Sequence, residues 1–370
     1  MRISKILRHA IALSAVWSLL AAFWAPASGQ TLGDGVSVHG FMTQAFGATT
    51  QHQLIGLSPT GTADYRVAAL QFRYDADQRN VMVVQFSHER LGRSPIGDAE
   101  DDVVLDWIFY EHWFDDLTVA RVGRIRMPIG IYNEIRDVGT LLPFYRPPES
   151  MYGEQTYAAE TVDGLMIGRR VPLGAWSLSA EAFYGSWQYL QRDLATNARV
   201  DGGLGGQLWI HTPLEGVRVG GSYVRLDASG SIDSAPGTKE RYQLWRGSVE
   251  GVFSRFNLRA EYVYNDFEAG NARTYYAQAG LPLTDALSLI GQAEFRDLRV
   301  SVPAPVPLTA DVPLDRDYAV GIRYSPWPTL AFKLEGHRYR GYSTEDVAPS
   351  IFGDDPRSLH YALFSVSTSF

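Results

Sequence analysis

The sequence contains no cysteine in its 370 residues, which excludes disulfide bonds, thiolate catalysis and metal sites built on cysteine. Lysine is scarce as well, because the 33 basic residues include only Lys5, Lys239 and Lys333. The formal net charge of −8 argues against a general nucleic-acid-binding protein, which needs a basic surface. What the chain does have is 35 Gly, 20 Tyr and 9 Trp, a composition that favours many short strands over long helices.

The N-terminal 29 residues have the three parts of a secretory signal peptide. Residues 1–9 are basic, residues 11–25 are apolar or small, and the residues that follow are small. The apolar stretch is shorter than the ~20 residues of a membrane-spanning helix, which favours a cleaved signal over a membrane anchor. We therefore expect cleavage between Ala27 and Gln30, and export of the rest of the chain.

Apolar and polar side chains alternate along much of the remaining sequence. In residues 70–75, for example, Leu70, Phe72 and Tyr74 alternate with polar side chains, and residues 258–265 repeat the pattern. A period of two residues predicts β-strands with two unlike faces.

One segment indicates what the apolar face contacts. Tyr318, Val320, Ile322 and Tyr324 share a face, so that an aliphatic centre is bordered by a tyrosine at each end. The two tyrosines are roughly 20 Å apart at the rise of a strand. A lipid-facing band about 25 Å tall with aromatic girdles requires this pattern, whereas a soluble sandwich does not.

The alternation predicts sixteen strands in a single domain, residues 30–370. They lie near 36–46, 65–75, 80–89, 103–113, 117–126, 162–170, 175–187, 203–212, 216–226, 241–253, 256–267, 273–281, 286–296, 317–325, 329–340 and 358–370. Short connections such as 76–79 alternate with long ones such as 47–64, and 268–272 is the shortest of the predicted long connections. We therefore predict an all-β fold, a transmembrane up-and-down antiparallel β-barrel of about 16 strands (range 14–18).

The last predicted strand, residues 358–370, places Phe364, Val366 and Phe370 on one face. Export, alternating strands and a terminal strand that ends in Phe resemble the Gram-negative outer-membrane porins, although Thr368 is more polar than the family pattern. The resemblance implies an outer-membrane homotrimer in contact with lipid and lipopolysaccharide. It also implies that Phe370 belongs to the signal read by the barrel-assembly machinery.

The longest connection, residues 127–161, is the third of the long ones, and in the porins the third outer loop folds into the lumen. The Pro-Glu-Phe-Gly motif of the well-known enterobacterial porins is absent, so no constriction residues can be transferred from that family one by one. The segment has four stiffening prolines and many aliphatic residues that need a surface to pack on. We expect it to pack on the inner barrel wall; the alternative is an ordered outer loop that packs on its neighbours or on a partner subunit. The charged residues then expected near the narrowest point are Glu134, Arg136, Asp137, Arg146 and Glu149.

A cluster of arginines flanks this loop: Arg121, Arg124 and Arg126 precede it, and Arg169 follows on the next strand. Charged rings in a lumen set ion selectivity. An arginine on the lipid face at the bilayer midplane costs roughly 2–4 kcal/mol, so we expect most of the cluster inside. The alternative is a set of rim arginines that contact lipopolysaccharide phosphates or turn carboxylates. Further side chains predicted to line the pore are Arg73, Arg259, Glu261, Glu294, Arg296 and Arg323.

No motif for covalent chemistry stands out. The sequence has no Gly-x-Ser-x-Gly elbow and no His-x-x-x-His pair, so we expect neither an enzyme nor a metal or other cofactor. The acidic run of residues 98–102 has oxygen ligands that could bind calcium, but such a run is more often a solvated loop.

The sequence thus favours a porin that lets small hydrophilic solutes or ions diffuse passively through a water-filled barrel and filters them at a charged constriction. A substrate-selective porin for anions or carboxylates, which would use the arginine cluster, is the nearest alternative. A barrel that serves as the scaffold of an outer-membrane enzyme or adhesin is another. A soluble propeller or sandwich would show internal repeats, and none is present. The sequence does not indicate whether cations or anions are preferred.

Overall fold

The computed structural model describes residues 30–94, 102–153, 160–191, 196–229, 239–302, 308–346, 349–351 and 353–370. The predicted signal peptide, residues 1–29, lies outside these ranges, as does the acidic run except for Asp102. Within the described ranges, no helix has the length and hydrophobicity needed to cross a membrane.

Sixteen antiparallel strands form a closed barrel. A short strand, β1 (Gln30–Gly33), precedes them and pairs with the first barrel strand. The barrel strands are β2 (Val36–Thr49), β3 (Thr62–Asp75), β4 (Asn80–Leu91), β5 (Val104–Asp115), β6 (Thr118–Arg126), β7 (Thr161–Leu173), β8 (Trp176–Gln191), β9 (Thr196–His211), β10 (Val217–Ser229), β11 (Lys239–Val252), β12 (Asn257–Phe267), β13 (Gly270–Pro282), β14 (Leu287–Val302), β15 (Leu308–Trp327), β16 (Leu330–Gly341) and β17 (Arg357–Ser369). Each pairs with the next along the chain, and β17 pairs with β2, with Phe364 opposite Phe46. The predicted strand number and up-and-down order are confirmed, and only β1 has no counterpart in the prediction.

Several strands extend further toward the long loops than the alternation predicts. β15, for example, begins at Leu308 rather than at residue 317. Hydrogen bonds between strands continue beyond the apolar band, where the side chains no longer need to follow the two-residue pattern. For the same reason the prediction of a long connection at 268–272 is wrong, because β12 ends at Phe267 and β13 begins at Gly270.

The apolar side chains point outward. Tyr318, Val320, Ile322 and Tyr324 of β15 are between 47% and 66% exposed, whereas the intervening Ala319 is 4% exposed. The barrel is therefore apolar outside, as the sequence predicts, and its polar faces line the interior.

Aromatic rings border this outer band. Across β12 to β15 the ring centroids of Tyr262 and Tyr275 are 6.4 Å apart, those of Tyr275 and Phe295 are 4.8 Å apart, and those of Phe295 and Tyr318 are 5.7 Å apart. Nearer the short turns, Tyr324 is 6.2 Å from Phe332, a residue of β16. The rows occupy the two positions expected for interfacial girdles.

The loop between β6 and β7 folds into the barrel. It contains a 3₁₀ turn (Asn133–Ile135) and a one-turn helix, α1 (Glu149–Tyr152). Its apolar side chains pack with residues of the wall into one buried cluster: Ile131, Tyr132, Leu142, Met151 and Tyr152 with Trp209, Val263 and Tyr276. The predicted inward fold is confirmed, and the alternative of a loop lying on the outside does not apply to its described part.

A second segment, residues 50–61 between β2 and β3, also turns inward. Leu54 and Leu57 are almost fully buried and belong to a cluster with Tyr145 of the long loop. Gly56 has a φ of +73°, and a Cβ there would overlap the backbone of the neighbouring β4 end. The residue pattern predicts only a long connection here, and not that this segment is part of the interior.

Candidate constriction site

Three glutamates of the barrel wall hold the long loop. They project inward from alternate strands, β12, β14 and β16, and each accepts a hydrogen bond from a backbone N–H of the loop. The pairs are Ile131 with Glu261 at 3.1 Å, Ser150 with Glu294 at 2.8 Å, and Tyr145 with Glu335 at 2.8 Å. Charge-assisted hydrogen bonds of this kind are about twice as strong as neutral ones, so they fix the path of the loop across the lumen.

Glu261 is the most heavily bonded of the three. It accepts hydrogen bonds from the Ser248 hydroxyl at 2.5 Å, from the Tyr276 hydroxyl at 3.0 Å and from the Tyr152 hydroxyl. Its side chain has no exposed surface, and Nη1 of Arg246 lies 3.9 Å away. This corrects the prediction that Glu261 and Glu294 line the water-filled pore: both face inward, but the loop covers them.

Arg126, the last residue of β6, holds the loop to the strand from which it begins. The guanidinium is buried 4.4 Å from the ring centre of Trp107, and it pairs with Asp137. Burial alone would raise the pKa of Asp137, but the positive charges of Arg126 and Arg136 outweigh it and hold that pKa below its ordinary value. Arg136 in turn pairs with Glu160 at 2.9 Å, so the two ends of the loop share one ionic network.

Arg146 and Glu149 form a second network on the loop. Arg146 lies 3.0 Å from Glu89 of β4 and 3.3 Å from Glu149. Their side chains keep between 19% and 25% of their surface exposed. Glu134 is exposed as well, and it lies within electrostatic range of the inward-facing Glu181 of β8. These charges remain in contact with water in the interior.

The predicted arginine cluster is divided between the two faces of the wall. Arg121 points inward and pairs with Glu111 at 2.7 Å. Arg124 points outward and pairs with Asp163 at 2.7 Å. Residues three apart on a strand lie on opposite faces, so the two arginines cannot both line the pore.

Arg169 also lies on the outer face, where its side chain is 57% exposed and 2.7 Å from the Thr118 hydroxyl. The prediction that Arg124 and Arg169 line the pore is therefore wrong. Each lies close to a carboxylate of another strand, Asp163 for Arg124 and Asp115 for Arg169, the latter at 3.8 Å.

Most of the remaining predicted arginines face inward in ion pairs. Arg73 is 2.7 Å from Asp75, Arg259 is 2.6 Å from Glu250, and Arg296 is 2.8 Å from Asp315. Arg323 differs from them: within the described part of the chain it forms no ion pair, and its one hydrogen bond goes to the Thr140 carbonyl oxygen at 2.7 Å.

Several charged residues of the interior were not predicted from the sequence, among them the buried Lys333 and Glu335. Lys333 is 2% exposed and donates to the Phe144 carbonyl oxygen at 2.7 Å. The signal was available, because both residues lie on the polar face of residues 330–337. What it could not show is that the loop, rather than water, meets this face.

No group of three histidines or carboxylates among the described residues is arranged to hold a metal ion. Since nearly all of the acidic run lies outside the described residues, calcium binding there stays a prediction.

No protein-family model matches the sequence, and no curated protein matches it either. Solved structures do match. OmpF of Salmonella typhi, in complex with daunomycin, is similar with a TM-score of 0.61 and 13% identity over 91% of this chain and 98% of its own. The anion-selective porin from Comamonas acidovorans has a TM-score of 0.57 and 9% identity over 90% of this chain and 99% of its own.

In-vitro folded OmpT, an outer membrane protein of Vibrio cholerae in a trimer form, has a TM-score of 0.56 and 9% identity over 90% of this chain and 99% of its own. With sequence identities this low, the structural likeness establishes a shared fold alone. The chain therefore has the fold of the outer-membrane porins, a closed sixteen-stranded barrel whose third long loop crosses the interior.

Proposed function

We propose that the protein is an outer-membrane porin through which small hydrophilic solutes or ions diffuse passively. The observation that carries the proposal is a closed barrel, apolar outside, whose interior is narrowed by a loop with water-exposed charges. Sixteen strands enclose a lumen wide enough for water, whereas eight leave almost none.

The mechanism requires no covalent step. A solute that crosses a bilayer must lose its hydration, and a water-filled barrel removes that barrier. The loop reduces the cross-section, and its charges, among them Glu134, Arg146 and Glu149, act on an ion at close range because little water separates them from it.

The location and assembly of the protein are part of the same proposal. We infer export by the N-terminal signal peptide, insertion into the outer membrane beside lipopolysaccharide, and recognition of Phe370 by the barrel-assembly machinery. A homotrimer is proposed from the resemblance to the porins, and the trimer form of a similar solved structure supports it.

The test is reconstitution of the purified mature chain. In planar bilayers we expect stepwise conductance increases, and in liposomes we expect swelling in small sugars with a sharp size limit. The reversal potential in a salt gradient then gives the preferred sign of ion. A correctly folded barrel that leaves vesicles impermeable would overturn the proposal and favour a scaffold for an enzyme or adhesin.

A further inference from the structure

A cavity of 270 Å³ lies between the long loop and the wall formed by β12 to β15, on the side of the short turns. The loop contributes Thr140, Leu141 and Pro143, and the wall contributes mainly polar side chains that include Arg259 and Arg323. None of the residues that line it is acidic. A solute in this cavity therefore meets positive charge without a competing carboxylate in the lining.

Arg323 is the charge best placed to bind a ligand here. Its cross-strand neighbours are Ser288 of β14 and Lys333 of β16, and neither of them is acidic. Of its guanidinium N–H groups, one donates to the Thr140 carbonyl oxygen at 2.7 Å, and the residue forms no ion pair within the described chain. An arginine fork that is partly withdrawn from water and lacks a counter-ion is suited to a planar carboxylate.

The second arginine of the cavity adds to this positive charge. Arg259 is bound to Glu250 at 2.6 Å, but Glu250 also binds Arg218 at 2.7 Å. Two guanidinium groups thus share one carboxylate, which leaves the group with a net charge of about +1, and Arg259 brings part of that charge to the lining that also contains Arg323.

The rest of the lining suggests that the ligand also has an apolar, organic part. Leu141 and Pro143 of the loop and Ile290 of the wall add apolar surface to the lining. Among the described residues, the buried amide oxygen of Asn257 has no hydrogen-bond partner, which leaves it able to bind a ligand or water. An inorganic anion would leave the apolar surface unused.

We propose that this cavity binds small organic carboxylates on their way through the channel. The role in transport rests on the proposed porin function, but the binding itself does not. The shared chemistry of the site also admits inorganic anions such as phosphate, and the test separates the two.

The test is block of single-channel current by butyrate, with butyramide as a neutral probe of the same shape and inorganic phosphate as the other anion. We expect butyrate to reduce the current in a saturating manner, with butyramide inert and phosphate weaker. Equal block by butyramide, or block by phosphate as strong as that by butyrate, would overturn the carboxylate assignment.

Two variants examine the site by independent routes. Arg323→Gln keeps a donor for Thr140 but removes the charge, and we expect it to raise the half-blocking concentration of butyrate about tenfold or more. Gly280→Leu fills the cavity while Arg323 stays in place, since a Cβ at Gly280 meets only Asn257, at 3.7 Å. We expect this variant to abolish the block.

The matched control is Gly291→Leu on the neighbouring strand, where a Cβ meets nothing within 4 Å and residue 291 lies on the outward face between the buried Ile290 and Gln292. Butyrate should block this control with the same half-blocking concentration as it does the parent. If butyrate also blocks Arg323→Gln and Gly280→Leu at the parent's half-blocking concentration, the cavity is not the site.

Failure of the site and failure of the porin function are distinguishable. If the parent protein does not conduct, titration calorimetry of butyrate into the detergent-purified barrel tests binding alone. Heat of binding that is lost in Gly280→Leu supports the site, and its absence in the parent overturns it.

Discussion

Glu261 illustrates how one carboxylate can organise a constriction without facing the solute. Its two oxygens accept hydrogen bonds from the loop backbone at Ile131, from the loop hydroxyl of Tyr152 and from two wall hydroxyls. A buried carboxylate is tolerated only when its lone pairs are satisfied, and here the loop supplies part of that satisfaction.

We predict that Glu261→Ala frees the part of the loop near Ile131 while the barrel still closes. The hydrogen bonds are lost together, and Arg246 is left buried without its counter-charge. Single-channel conductance should rise, and trypsin should cut more readily after Arg136. Glu215→Gln in an exposed short turn is the control and should change neither measurement; an unchanged Glu261→Ala would show that the loop does not depend on this anchor.

Phe370 contacts Gly40 of β2 both through its backbone and through its ring. The Phe370 N–H donates to the Gly40 carbonyl at 2.9 Å, the Gly40 N–H donates to the Phe370 carbonyl at 3.1 Å, and a Cβ at Gly40 would lie 2.6 Å from the Phe370 ring. Glycine at this position therefore allows the close approach of the Phe370 ring, and it is not needed for backbone freedom.

Gly40→Val should displace the Phe370 ring and destabilise the folded barrel by about 1–3 kcal/mol, the usual cost of overpacking. The measurement is the urea midpoint of unfolding in lipid vesicles. Gly336→Val is the control, because a Cβ there meets nothing within 4 Å. Equal midpoints for the two variants would contradict the proposed contact.

At the scale of elements, the loop and the barrel depend on each other. The first part of the loop is held by Arg126, whose buried guanidinium group pairs with Asp137. Because the folded-state pKa of Asp137 is lowered, its contribution to stability is complete above the unfolded pKa of about 3.9 and is lost as the pH falls through the folded value.

We therefore predict that acid loosens the loop before it unfolds the barrel. Below about pH 4 the protonation of Asp137 should begin to weaken the network, which an acid-active protease would report as cleavage within residues 127–153. Asp137→Asn should show the loosened loop already at neutral pH, at a cost of about 2 kcal/mol for the lost charged hydrogen bond. Asp163→Asn, which alters an outer-face pair, serves as the control and should keep the parent's pH profile.

In the molecule as a whole, the outer band is suited to contact with hydrocarbon, whereas the inner loop and wall are suited to contact with water. The exposed Val320 and its neighbours on β15 belong to a surface that only hydrocarbon accepts at low cost, whereas the inner wall is polar and largely covered by the loop.

Val320→Arg should lower the free energy of unfolding in a bilayer by about 2–4 kcal/mol, since it places a charge in the middle of the apolar band. Leu283→Arg, in an exposed short turn, should cost no more than about 1 kcal/mol. Urea titrations in vesicles compare the two; a similar cost for both would mean that β15 does not face the bilayer core.

The class of fold can be predicted from the amino-acid pattern alone, because the two-residue period, and the tyrosines at both ends of an aliphatic face, are local features of individual strands. Segments such as residues 317–325 and the terminal strand could be located for that reason. The prolines and aliphatic residues of the long loop likewise predicted its inward path, since they need a surface to cover them.

Which charges are in contact with water depends on the tertiary fold and cannot be read from the strand pattern. Arg124 and Glu261 have the residue types of a pore lining, yet one lies outside the wall and the other lies beneath the loop. The sequence likewise could not show that Arg323 forms no ion pair with any described residue, because pairing depends on neighbours that are remote in sequence. A strand pattern is local and repeats along the chain, whereas the partner of a charge is set by which distant segment folds against it.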